Sequence, residues 1–284
     1  MTNTIKTALL LGLLSAVLMF LGEAFGGGQG LVFGFLFAVM MNFGSYWFSD
    51  KIVLRMYRAQ EVGPGHRLYE IVAALSQRAG LPMPKVYVIP DPSPNAFATG
   101  RNPQHAAVAV TQGLLHHLPP DQVKGVLAHE FGHIKNRDIL VMSIAAMVSG
   151  AIAAIANVMQ FSLIFGGDDD DSPLGLVGTL AAIIIAPIAA TLLQLAVSRQ
   201  REYLADATGA QLLGQAKPLA DGLETLERGA QALPMNVNPA TASLYMVNPL
   251  PRTGVATLFM THPPLAERIR RLRALDGEPA ISLA

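Results

Sequence analysis

The sequence predicts an α+β protein: a mainly helical domain with a small β-sheet, plus four transmembrane helices. Three observations lead there. The 284 residues are 51% hydrophobic and only 14% charged, with a mean hydropathy of +0.39, whereas soluble chains carry about 25% charged residues. Four apolar stretches, residues 5–21, 31–48, 139–165 and 174–197, approach or exceed the roughly 20 residues that a helix needs to cross a bilayer. The segments between and after them alternate helical and strand-like patterns with Pro- and Gly-rich turns.

The charges orient the four spans. There is no Lys or Arg from Thr7 to Asp50, and none from Asp138 to Ser198; all 20 basic residues fall at Lys6, within 51–137, or from Arg199 onward. Two hairpins would leave these three parts on one side. Their short connectors, 22–30 and 166–173, carry no cation, and the second carries Asp168 to Asp171, which reads as a solvated acidic loop. The positive-inside rule then places both termini and both large polar segments in the cytoplasm. The expected division is a membrane hairpin at 1–50, the first part of a cytoplasmic domain at 51–137, a second hairpin at 138–198, and the rest of the cytoplasmic domain at 199–284. A signal peptide is the alternative for the first stretch, but a second span follows at once with no A-x-A site before it. A buried hairpin of a soluble core is the alternative for the third and fourth.

Composition also excludes function classes. A net charge of zero gives no basic surface for nucleic acid. The absence of cysteine rules out disulfides, thiolate ligands and a thiol nucleophile, which fits a reducing compartment.

Within the polar segments, residues 65–79 read as an amphipathic helix with Leu68, Ile71, Val72 and Leu75 on one face. Residues 85–89 and 106–111 read as strands. Residues 121–136 read as a helix started by Pro119, Pro120 and Asp121. Helices are also expected over 218–232 and 264–275, with loop or short strands over 235–261.

The chemistry sits in the 121–136 helix, within VLAHEFGHIKNRD. Residues i and i+4 share a helix face, so His129 and His133 can offer imidazoles to a single ion. Zinc suits imidazole and in catalytic sites keeps an open position for water. Glu130, one residue on, can take that water's proton and pass it to a leaving amine. A third ligand is expected where the fourth apolar stretch ends, in SRQREYLADATGA. There Glu202 can bind the ion, and Asp206, one turn on, can hold a ligand imidazole in one tautomer. One zinc per chain is the expectation. If both helices continue into their neighbouring apolar stretches, the membrane hairpin sets the distance between the ligands.

HEFGH, followed after a hydrophobic hairpin by EYLAD, resembles the HtpX family of membrane zinc metalloproteases, which are related to the zinc-dependent CAAX prenyl proteases. NAFATG (95–100), VAVTQGLL (108–115) and THPPLAERI (261–269) resemble further family segments, so the likeness covers nearly the whole chain. The resemblance implies a gluzincin-like metalloprotease domain, with His129, His133 and Glu202 as zinc ligands and Glu130 as the catalytic acid/base. It also implies endoproteolysis of misfolded or damaged membrane proteins in quality control, and it places His262 near the zinc, steadying the oxyanion.

Asn95, Ala96 and Phe97 are candidates to hold the substrate backbone by strand addition. Polypeptides, chiefly membrane proteins, are the expected partners beside the lipid bilayer. His66, His105, His116 and His117 lack any partner pattern and read as structural. Two competing readings are a non-catalytic membrane scaffold with a zinc site and a prenyl-protein endoprotease. The intact Glu130 speaks against the first, and the small number of spans against the second.

Overall fold

A computed structural model describes residues 3–148, 199–232, 245–246 and 263–276. Two apolar helices come first, α1 (Asn3–Ala24) and α2 (Gly26–Met56), each long and apolar enough to cross a membrane. At the start of α2 Gly27 leaves helical conformation with φ 56°, a turn that costs glycine little. The two helices press backbone to backbone: a Cβ on Gly34 would lie 2.5 Å from the Leu18 carbonyl oxygen. Asn42 donates across the pair to Ser15 Oγ at 2.8 Å.

The next elements are β1 (Gln60–Glu61), α3 (Arg67–Ala79), β2 (Lys85–Ile89), β3 (Ala96–Gly100), a 3₁₀ turn (Pro103–His105), β4 (Ala106–Thr111), α4 (Gln112–His117), α5 (Pro120–Lys135) and α6 (Ile139–Val148). After the undescribed interval come α7 (Arg199–Leu213), α8 (Lys217–Ala232) and α9 (Leu265–Leu275). The sheet order is β1-β2-β4-β3, with β2 and β4 parallel and both outer pairs antiparallel. β3 is therefore an edge strand.

Why β4 reads as an unbroken apolar run, AAVAVT, follows from its position. Every residue in it is buried, because the sheet is covered on both faces. Alternate residues point opposite ways along a strand. Val108 and Val110, with Ala96 and Ala98 of β3, join Leu68, Val72 and Leu75 of α3 and Val126, Leu127 and Phe131 of α5. Ala107 and Ala109, with Phe97, join Val53 and Leu54 of α2 and Met142 and Ala146 of α6. The second apolar stretch thus extends as helix beyond residue 48, and its last turns lie under the sheet. Of the third stretch, the described helix α6 is likewise largely buried in protein. The rest of it, and the whole fourth stretch, lie outside the described residues.

One expectation is corrected. The histidine helix does not continue into the third apolar stretch. α5 ends at Lys135, Arg137 takes a left-handed conformation with φ 59°, and the Asp138 N–H returns to the His133 carbonyl at 2.9 Å. The last carbonyls of α5 find partners in that turn, which is how a helix is closed without a glycine.

Candidate metal centre

α5 starts on Pro120, whose missing N–H costs nothing in a first turn. From Gly125 to Ile134 it is buried on every side. Two glycines make that possible. A Cβ on Gly132 would sit 2.8 Å from the Ala205 carbonyl oxygen of α7, and a Cβ on Gly209 of α7 would sit 2.9 Å from the His129 nitrogen of α5. The two helices therefore meet backbone to backbone.

That contact brings three side chains together. Ligand atoms of His129, His133 and Glu202, all buried, lie within 4.8 Å of one another and can hold a metal ion. The two Nε2 atoms are 3.1 Å apart, and Glu202 places its oxygens 3.6 Å from His129 Nε2 and 3.4 Å from His133 Nε2. The far side of each ring faces a carboxylate: His129 Nδ1 is 2.8 Å from Asp206 Oδ1, and His133 Nδ1 is 3.5 Å from Asp138 Oδ2. A proton held on Nδ1 by a carboxylate leaves the Nε2 lone pair for an ion. Two imidazole nitrogens and a carboxylate converging in a dry site form a donor set that fits zinc-type coordination with a position left open.

The electrostatics differ between the two histidines. Burial and the Arg268 guanidinium push His129 down to about 4, against the pull of Asp206. Burial also works against a charge on His133, but Glu202, Asp138 and Glu130 raise it to about 10. Burial pushes the Glu130 carboxyl up to about 7, with Glu202 adding to the rise, while His133, the Ala98 backbone N–H and Arg268 oppose it. A carboxyl near neutrality is suited to taking and returning a proton.

Two further residues belong to the site. Asp138 also faces Asn3 Nδ2 at 3.3 Å and Arg201 Nε at 3.4 Å, and Arg201 donates to Asn3. The starts of α1 and α7 thereby meet at the end of the histidine helix. Arg268 of α9 is 0% exposed. It donates to both oxygens of Asp206, at 2.9 Å and 2.7 Å, and lies 3.4 Å from Glu202 Oε2. Sequence spacing pointed to neither. Asp138 falls beyond the HExxH window, and Arg268 stands in ERIRRLR beside three other arginines, among which spacing singles out none. The signal available was THPPLAERI itself, a quoted segment whose one acidic and one basic residue had no assigned work.

His262 lies outside the described residues. Asn95 and Phe97 turn their backbone groups toward β4, since the Thr111 N–H donates to the Asn95 carbonyl at 3.0 Å and strand groups alternate. Ala96 and Ala98 therefore face outward. The Ala96 N–H donates to Asn95 Oδ1 at 3.1 Å, the Ala96 carbonyl accepts from the Met246 N–H at 3.2 Å, and the Ala98 backbone reaches Glu130. The Phe97 side chain packs against Tyr57 and Tyr245 with ring centroids 6.1 Å and 5.2 Å away.

Known proteins resemble this chain over most of its length. Residues 64–276 match the model of peptidase family M48. Over 277 residues the chain is 55% identical to a "Protease HtpX homolog" of Desulfatibacillum aliphaticivorans, covering 96% of this chain and 89% of that one. A relative of the same name from Thermococcus sibiricus is 48% identical, covering 98% of both. Among solved structures, the crystal structure of S. mikatae Ste24p is similar with a TM-score of 0.52 at 22% identity, over 95% of this chain. This chain spans 65% of the length of that structure, and the likeness is one of fold.

Proposed function

Because the chain belongs to peptidase family M48, in its HtpX-type branch, and is therefore a metalloprotease, we propose that it is a membrane-anchored zinc endopeptidase acting on misfolded or damaged membrane proteins at the cytoplasmic face of a bacterial inner membrane. The observation that carries this reading is the convergence within 4.8 Å of Glu202 of α7 with His129 and His133 of α5, the helix that also carries buried Glu130. The apolar helices α1 and α2 supply the anchor, and the absence of cations from Thr7 to Asp50 supports a cytoplasmic orientation.

In this reading His129, His133 and Glu202 hold the zinc, which when bound acidifies water and polarises a carbonyl. Glu130 accepts the water's proton and delivers it to the departing amine. Asp206 and Asp138 keep the two imidazoles turned toward the ion. His262 steadies the charge that develops on the carbonyl oxygen.

The substrate backbone pairs with the outer edge of β3, through Ala96 and Ala98, with Asn95 and Phe97 fixing the strand from within. Main-chain pairing tolerates many sequences, as quality control requires. The Ala96 carbonyl is taken by Met246, so a substrate strand displaces that contact as it enters.

The test uses the detergent-purified full chain, stripped with a chelator and resupplied with zinc, reading cleavage of unfolded casein and of the chain itself. Zinc should restore cleavage in the wild type. Glu130→Gln should bind zinc as tightly but cleave about 10²–10⁴-fold more slowly. Wild-type cleavage by Glu130→Gln would refute the assignment.

A further inference from the structure

We propose that Arg268 is the positioning residue of the metal centre: it fixes the carboxylate of Asp206, and through it the ring of His129, so that His129 presents Nε2 to the ion. The inference rests on His129, His133 and Glu202 holding that ion.

Arg268 grips Asp206 in two places, Nε to Oδ2 at 2.9 Å and Nη2 to Oδ1 at 2.7 Å. Two parallel donors from a planar fork define the carboxylate plane, which a single ammonium would leave free to turn. Asp206 Oδ1, held this way, lies 2.8 Å from His129 Nδ1. Nη2 also lies 3.2 Å from His129 Nδ1. That nitrogen cannot donate to Asp206 and accept from Arg268 together, and the shorter contact to the carboxylate decides in favour of donation. The tautomer of His129 is thus set by Asp206 of α7, whose carboxylate is held in turn by a residue on α9, an element that contributes none of the three candidate ligands.

α9 is itself fastened to the domain. Ile269 and Leu272 enter the core shared with α5, Arg273 reaches Asp221 at 3.1 Å and Glu224 at 2.7 Å on α8, and Asp276 accepts from the Ala216 and Lys217 N–H groups at the start of α8. Arg268 transmits that anchorage to the site.

The same geometry offers Arg268 a competing role. Arg268 Nη1 stands 3.4 Å from Glu202 Oε2. If the guanidinium served only as a buried countercharge, it would repel an incoming dication and compete for Glu202. Its removal would then tighten metal binding. Positioning predicts the opposite sign.

The experiment measures zinc(II) affinity by competition with a chromophoric chelator, and the visible absorption of the cobalt(II)-loaded chain, on full-length protein in detergent. Arg268→Gln and Arg268→Lys should each bind zinc about 10–100-fold more weakly with a shifted cobalt band, because Lys restores the charge without the fork. Asp206→Asn should lose a similar factor. The double variant Asp206→Asn/Arg268→Gln should match Asp206→Asn alone, since the arginine acts through the aspartate. It also buries no lone charge, so it reports even if Arg268→Gln does not fold. Unchanged or tighter binding in the Arg268 variants, or a further tenfold loss in the double variant, would overturn the proposal. His129→Ala is the control on the premise: if it binds zinc like the wild type, the ion sits elsewhere and both readings fall, whereas loss in His129→Ala with none in Arg268→Gln removes only the arginine's role.

Discussion

The α1/α2 pair and the α5/α7 pair are both brought into backbone contact by glycine, yet they present opposite surfaces. On α1 and α2 the large apolar side chains face outward: Phe20 is 68% exposed and Phe33 72%. On α5 and α7 the outward and inward roles are exchanged, and His129, Glu130, His133, Glu202 and Asp206 are all buried. A glycine contact is thus neutral as to function. What the helices enclose follows from the solvent on the other side. Exposed phenylalanines suit the proposed bilayer, where small residues let helices approach and van der Waals packing holds them. Buried charges suit a domain in water only because they are paired or can meet a metal.

The largest way to break this comparison is to separate α5 from α7. A Cβ on Gly132 meets Ala205 backbone at 2.8–2.9 Å, and one on Gly209 meets Ala128 and His129 backbone at 2.9–3.1 Å. Backbone cannot swing aside as a flexible side chain can, so the helices must part. Gly132→Ala should cost about 1–3 kcal/mol of stability and, because displacements of about 1 Å at a catalytic site can cost about 10²-fold in rate, cleavage should fall by about that factor. Thermal melts and casein cleavage check both. A Gly132→Ala chain with wild-type melting and activity would show that the ligand distance is set elsewhere, as the sequence alone suggested when it assigned that distance to the membrane hairpin.

The same substitution in the other pair sharpens the contrast. Gly34→Ala places a Cβ 2.5 Å from the Leu18 carbonyl oxygen and strains the Asn42–Ser15 contact. The expected result is a lower melting temperature in detergent with zinc affinity within about threefold of wild type, the additivity usual for sites without shared partners. One route between the pairs is Asn3, which reaches the Arg137 carbonyl at 2.8 Å and Asp138 at 3.3 Å. A tenfold loss of zinc affinity in Gly34→Ala would mean that the two pairs are coupled.

These two helix pairs also show how much was legible beforehand. The apolar run of α1 and α2 and the Pro119-Pro120 start of α5 are local signals, and the strands Lys85–Ile89 and Ala106–Thr111 stand at the bounds read from the sequence. HExxH spacing and the Glu202–Asp206 pair are likewise local, since both follow from a helical turn. What was not legible depended on contact between distant segments. Asp138 faces His133 only because α5 stops at Asn136 and turns back, and a left-handed arginine carries no reliable mark in a sequence. Arg268 reaches Asp206 across 62 positions. The short helix α4 (Gln112–His117) also went unread, its Thr111 cap hidden inside a strand pattern.

The smallest expected effect separates two neighbours on α9. Arg268 is buried against Asp206, while the adjacent Glu267 lies toward solvent and takes Arg270 Nε at 2.8 Å and Arg271 Nε at 2.6 Å. Those hydrogen bonds hold the Glu267 carboxyl down to about 2, against an ordinary value of 4.5. A depressed carboxyl stabilises the fold above its ordinary value, and that contribution is lost as pH falls from 4.5 through about 2. Glu267→Gln should therefore melt slightly below wild type at about pH 6, with the gap narrowing progressively as the pH drops below 4.5. Salt should narrow it too, because water and ions screen an exposed cluster. The Arg268–Asp206 pair, shielded from both, should show no comparable salt dependence in the melting of Arg268→Lys. If Glu267→Gln instead shows a gap that persists at low pH and high salt, Glu267 contributes through helix packing or its place in the first turn of α9, and not through the arginine fork.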